Sequence, residues 1–208
     1  MAELTDTLEQ LLAGQTGQIS RRIGADEDRT RVAVQSAIPA LMAALSGEAD
    51  DPGLRRAIEQ DHDGSIIDQL SEYLGGTAQL GSRTTDGDGI LDHVLGDQRQ
   101  EMAQALSAKS GLDLGSIMQL LPLLAPILMG MLGKKSSAGS SGGGFGLDDL
   151  GSILGGERES AKAKNPDLGD ILDKFGTGSG RKGSAGGRTR EGGGFMDAIG
   201  DLLGGKDR

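Results

Sequence analysis

"LPLLAPILMGMLG", residues 121–133, is the most apolar stretch of the chain, and its reading decides the fold. It admits three interpretations: a membrane span, a buried helix, or a surface made for another protein. The apolar run extends from Ile117 to Leu132, interrupted by Gln119, Pro122 and Pro126. Its 16 residues fall short of the roughly 20 mostly apolar residues a span needs, so no span is expected. A second stretch, "SAIPALMAAL" at 36–45, has the composition of a globular helix and carries a proline in the same setting. Sliding the chain by 87 positions lays Ser20, Gly24, Pro39, Leu41, Met42 and Leu45 on Ser107, Gly111, Pro126, Leu128, Met129 and Leu132, all identities. A slide of 83 pairs Pro39 with Pro122 but loses the match of Gly24 with Gly111. Glycine and proline constrain the backbone, so their joint match outweighs matching leucines. Residues 121–133 thus read as the closing helix of an all-α domain built from two similar halves, about 15–47 and 102–133. Gly24, Pro39, Gly111 and Pro126 are its structural positions.

Composition agrees with helices. The aromatic residues are Tyr73, Phe145, Phe175 and Phe195, with no tryptophan. A core must be built from Leu, Ile, Val, Met and Ala, which suit helix packing better than a sandwich or barrel. The absence of cysteine excludes disulfides, thiolate chemistry and cysteine zinc sites, and it fits a reducing, cytoplasmic location. The opening "MAELTDTLEQLLAG" lacks the basic region and apolar run of a secretory signal. The net charge is −10 and unevenly placed. Residues 1–133 carry 9 basic and 20 acidic residues, a net of −11, while 134–208 carry 12 and 11, a net of +1. An acidic body repels phosphate backbones, so nucleic acid is not an expected partner.

Helix signals run through the front of the chain. Leu4, Leu8, Leu11 and Leu12 mark one face, closed by Gly14. A second helix runs from Gln15 to Ile23, with Gly24 as its C-terminal cap. Asp26 caps a third, with Glu27 and Asp28 in its first turn; Pro39 is expected to kink or split it. Shorter helices are expected at 54–60, 65–74 and 89–95, and a longer one at 97–109. After Gly133 the composition changes to "GKKSSAGSSGGG", that of a linker. So glycine-rich a tail cannot bury enough apolar surface to offset the entropy of ordering it. Residues 134–208 are therefore expected to be largely disordered, following a helical domain over 1–133.

Two stretches, "RRIGADEDRTRVAVQSAIPALMAAL" and "GILDHVLGDQRQEMAQALSAKSGLDLGSIMQLLPLLAPILMGML", resemble the two halves of the YidB-like bacterial domain of unknown function. The resemblance covers about residues 1–133. It implies a bacterial protein with an all-α fold and no established activity, and it carries over no catalytic residues.

A second pattern, apolar-apolar-Asp-x-apolar, crosses the boundary. It occurs at Ile66-Ile67-Asp68-Gln69-Leu70 and Ile90-Leu91-Asp92-His93-Val94 in the body. It returns at Ile171-Leu172-Asp173-Lys174-Phe175 and Phe195-Met196-Asp197-Ala198-Ile199, with a weaker copy at Gly146-Leu147-Asp148-Asp149-Leu150. The tail copies belong to short amphipathic segments at 146–155, 167–176 and 194–204. Their apolar faces are Leu147, Leu150, Ile153 and Leu154; Leu168, Ile171, Leu172 and Phe175; and Phe195, Met196, Ile199, Leu202 and Leu203. At about 8–12 residues they are too short to be stable helices alone, and they should fold when that face meets a groove. A body that already receives two copies has surfaces for such elements, so a tail copy can compete for one in its own domain or a neighbour's.

Signals for chemistry are weak. Asp86-Gly87-Asp88-Gly89 and Asp61-His62-Asp63-Gly64 approach calcium-loop spacing, but position 12 is Leu95 in one and Leu70 in the other where a bidentate Glu is required. They read as Asp-Gly turns that cap the next helix. His62 and His93 are the two histidines, and His93 is expected to face solvent. No nucleophile elbow or phosphate-binding glycine motif is present. No catalytic residue, metal ligand or cofactor site is assigned. The expected function is a non-enzymatic protein-binding or assembly role, with the tail segments as multivalent docking elements. A homo-oligomer is expected to cover the surplus apolar girth of 117–132. A second class is an envelope-associated accessory protein on a membrane surface, although these segments carry Asp where surface helices carry Lys and Arg. A third, a hydrolase of unknown type, requires a pocket.

Overall fold

The computed structural model describes residues 4–139 and 149–176. In chain order the helices are α1 (Leu4–Ala13), α2 (Thr16–Ile23), α3 (Glu27–Gly47), α4 (Pro52–Asp61), α5 (Ser65–Asp68), α6 (Leu70–Gly75), α7 (Gly87–Val94), α8 (Arg99–Ser110), α9 (Leu114–Gly139), α10 (Leu150–Lys164) and α11 (Gly169–Phe175). The fold is all-α, with no strand among the described residues.

Two capping aspartates and two glycines set the frame. α2 ends on Gly24 with φ 66°, and α8 ends on Gly111 with φ 72°. These left-handed caps cost glycine nothing and other residues strain. Asp26 Oδ1 then accepts the Arg29 amide at 3.0 Å to start α3. At the positions 87 residues on, Asp113 Oδ1 accepts the Ser116 amide at 2.9 Å to start α9. α3 and α9 are the two long rods around which the other helices pack.

The prolines split neither rod. α3 runs on through Pro39, and α9 runs on through both Pro122 and Pro126. A helical proline deprives the carbonyl four residues earlier of its partner. For Pro126 that carbonyl belongs to Pro122, and the backbone of Gly87 is pressed directly onto it. A Cβ built on Gly87 would lie 1.7 Å from the Pro122 oxygen. The orphaned acceptor is covered by packed backbone, where weak Cα–H contacts form, and the helix continues.

From Leu120 to Gly133 every residue of α9 is buried except the half-buried Pro122. By length and composition α9 could cross a membrane over Leu114–Ser137, but 72% of its most apolar 18-residue window is buried inside the fold. The covering comes from α3, α4, α5, α7 and α8. Close approach depends on missing side chains: Gly130 lies against Ile66, and Gly133 lies against the His62 carbonyl. The girth of α9 is thus met by the chain's own helices. Among the described residues the large apolar side chains left exposed are Val32 of α3 and Leu114, the first residue of α9.

α9 continues past Gly133 to Gly139, and 150–175, expected to be largely disordered, forms α10 and α11, which pack on α3 as a C-terminal arm. Glycine is abundant averaged over 134–208 but sparse in this interval. Between Leu147 and Phe175 only Gly151, Gly155, Gly156 and Gly169 occur, and the apolar residues there find a prepared surface. The segment 194–204 lies outside the described residues.

Packing around the glycines gives a graded expectation. Gly133→Ala and Gly87→Ala each force backbone apart and should cost about 1–3 kcal/mol, a fall of roughly 2–4 °C in melting temperature per kcal/mol. Gly155→Ala, with nothing within 4 Å of the added methyl, should stabilise α10 by about 0.5–1 kcal/mol. Thermal melts followed by circular dichroism separate the two classes; equal effects at 133 and 155 would contradict this packing.

Candidate functional site

The arm is held by a face of α3 rich in small side chains. Ala43 is fully buried in a cluster with Ala161, Leu168 and Leu172, and Ile171 packs at its edge. Leu150, Leu154 and Phe175 join the main core, and Ile153 and Ile171 are half-buried. The position a Cβ would take on Gly151 is 3.6 Å from the Cβ of Ala49. Of the docking residues expected from sequence, Leu150, Ile153, Leu154, Leu168, Ile171, Leu172 and Phe175 thus meet on one surface of the chain's own body. Leu147, Phe195, Met196, Ile199, Leu202 and Leu203 lie outside the described residues.

One polar contact fixes the register of the arm. Glu157 of α10 is buried at the first turn of α1, where backbone amides have no partner within the helix. Its carboxylate accepts the amides of Leu4 (2.5 Å) and Thr5 (3.0 Å) and the Thr5 hydroxyl (2.8 Å). A carboxylate is the favoured partner for those amides, because the helix dipole places partial positive charge there. Around this anchor are exposed ion pairs: Lys164 with Asp6 (2.8 Å), Lys109 with Asp167 (3.1 Å), and Lys174 with Glu101. Such pairs are worth about 0–1 kcal/mol each, so apolar contact and Glu157 carry most of the hold.

The arm sits on α3 as an internal segment sits on α9. α5 and α6 pack on α9 and α2, while α11 packs on α3 and α8. Ile66, the first apolar residue of its copy, lies on Gly130; at Ala43, the position 87 residues earlier, it is the second apolar residue of the tail copy, Leu172, that clusters, with Ile171 at the edge. Arg22 of α2 donates to the carbonyls ending α6, Tyr73 (2.7 Å) and Leu74 (3.1 Å). Lys109 of α8, 87 residues later, reaches Asp167 just before α11. The pattern's aspartates share one role in all three described copies. Asp68 pairs with Lys134, Asp92 with Arg99 and Asp173 with Lys162, each on the solvent side. The Lys162 hydrogen bond holds the Asp173 carboxyl below its ordinary value.

A second feature is a cleft of about 380 Å³ between α4 and α7, floored by Met129 of α9. Leu54, Ala57, Ile90 and Val94 form its apolar wall, and Asp61, Arg83, Asp86 and His93 its polar part. The volume suits a small ligand. Asp86 caps α7 through the Gly89 amide (2.9 Å), and Asp63 accepts the Ser65 amide (2.9 Å), which are the Asp-Gly turns expected from sequence. His93 lies at the rim, 3.4 Å from Asp51. The lining holds no serine, threonine or lysine that could act as a nucleophile. No group of three or more His, Asp or Glu side chains is placed to hold a metal ion among the described residues. His62 is buried: it is 3% exposed, its Nδ1 has no hydrogen-bond partner among the described residues, and burial pushes its pKa below the ordinary histidine value. It stands four residues after Ile58 and eight after Leu54, in step with the buried stripe of α4, so helical spacing is the signal that could have found it.

Residues 6–135 match the family described as "Bacterial protein of unknown function (DUF937)". The chain belongs to the DUF937 family. The DUF937 region spans α1 to α9 and ends before the arm begins. No curated protein and no solved structure matches the chain.

Glu157→Ala should leave two amides and a hydroxyl without their acceptor, at a cost of about 1–3 kcal/mol. Hydrogen exchange should quicken in α10 and α11 while α8 and α9 stay protected; uniform loss of protection would count against a separable arm. For His62 the sign runs toward acid. The folded state keeps it neutral, so its stability contribution is complete above about pH 6.5 and falls as the unfolded chain takes up a proton below that. Wild type should melt lower at pH 5.5 than at 7.5, and His62→Gln should flatten that slope.

Proposed function

We propose that this protein is a non-enzymatic helix-docking module that works in protein binding or assembly. The proline-bearing rods α3 and α9 are its receptors, and segments of the form apolar-apolar-Asp-x-apolar are its ligands. The observation that carries this reading is the place of 171–175 on α3, which corresponds to that of 66–70 on α9. A surface filled from inside the family region on one rod is filled from outside it on the other. We read the two halves as duplicated, with the α3 seat left for an element outside the DUF937 region. In each described copy the apolar pair and the last apolar residue supply contact, while the solvent-side aspartate supplies solubility and an ion pair. Multivalency follows from several segments on one chain, since tethering raises the effective concentration of each later contact to about millimolar.

The test uses an arm that cannot hold its seat. Leu168→Asp with Leu172→Asp places charge against Ala43 and should release the arm. The released variant should bind a fluorescent peptide of residues 149–177, whereas wild type, with the seat filled, should bind it at least tenfold more weakly. Absence of binding to the variant, with its body still folded by circular dichroism, would remove the reading.

A further inference from the structure

We propose that the α10–α11 arm exchanges between two copies of this chain, each arm seating on the α3 face of the other. This rests on the docking reading above and names its partner as a second copy of the same chain.

Three observations lead there. First, the arm's principal contacts are with α1, α3 and α8, all within residues 4–110, and not with α9, from which the chain runs into it. Glu157 reaches Leu4 and Thr5, Lys164 reaches Asp6, and Lys174 reaches Glu101. None of these contacts depends on which body the arm is covalently joined to. Second, Gly139 and Leu150 are joined by "SSGGGFGLDD". At full extension ten residues reach about 35 Å, the scale of a small domain. Third, the seat lies within the DUF937 region and the arm lies outside it, so seat and cover belong to separate stretches of the chain.

An exchanged pair keeps every arm contact and changes only the path of the connector. The balance is therefore set by mass action, with the resident arm at an effective concentration of about millimolar. Two acidic bodies are brought together as well, so screening their repulsion with salt favours the exchanged form. Reciprocal exchange closes on itself and stops at two chains.

The chain has no cysteine, which permits a clean trap. The Cβ of Ala49 and the Cβ position of Gly151 are 3.6 Å apart, within the usual disulfide range of about 3.5–4.5 Å. Full-length chains carrying Ala49→Cys alone are mixed with chains carrying Gly151→Cys alone, incubated, then oxidised. Exchange predicts a covalent dimer joined 49 to 151, verified by peptide mapping. Its ratio to uncrosslinked chain should rise about tenfold with a tenfold rise in concentration, and it should rise with salt. The double variant Ala49→Cys/Gly151→Cys reports on docking itself. If it closes within one chain at every concentration while the mixed single variants stay monomeric, exchange is overturned and docking stands. If it closes neither within nor between chains, the docking reading fails and exchange falls with it.

Discussion

A helix that is apolar on every side cannot rest on a single partner; it has to be surrounded. α9 imposes that condition. Its burial from Leu120 to Gly133 calls for contacts all around, and the chain meets the need with short helices rather than one large sheet or bundle layer. That explains the run of small elements from α4 to α7. Each covers a sector of α9, and each needs a place where it can come close. Gly130 and Gly133 are such places, as is Gly87 from the opposite side. The arrangement also bears on how Pro126 survives in this helix, because the Pro122 carbonyl that it leaves without a helical donor is met by the packed backbone of Gly87.

α3 is a shorter rod with less apolar girth, and its outer sector is met differently. Its small side chains, Ala40, Ala43 and Ala44, make a shallow face that one crossing helix pair can cover. The halves thus share a plan and differ in where the last covering piece is encoded. In the second half that piece precedes the rod in sequence. In the first half it follows the entire body.

Much of the body was legible because its signals are local. Gly24 and Gly111 needed only the left-handed cap, Asp26 only a side chain within reach of an amide three residues on, and the leucines of α1 only their spacing. The arm was legible as two amphipathic segments, 146–155 and 167–176, but not as structure. Its stability comes from residues more than a hundred positions away, and composition averaged over 134–208 hid the glycine-poor interval. Glu157 gave no sign of its role, since its partners are backbone amides of α1 that sequence does not mark. His62 was legible in part: it continues the Leu54–Ile58 stripe at helical spacing, and α9 crossing at Gly133 completes its burial.

The separation between the α3 face and its cover also has a meaning in time. The ribosome finishes α3 about 130 residues before it finishes α11. At about 5–20 residues per second, the order of ten seconds passes between making the surface and making what covers it. During that interval the growing body carries an apolar strip that no part of the emerged chain is built to hide. Synthesis order alone thus leaves the α3 face without its arm in each nascent molecule, and neighbouring chains on one message reach that stage side by side.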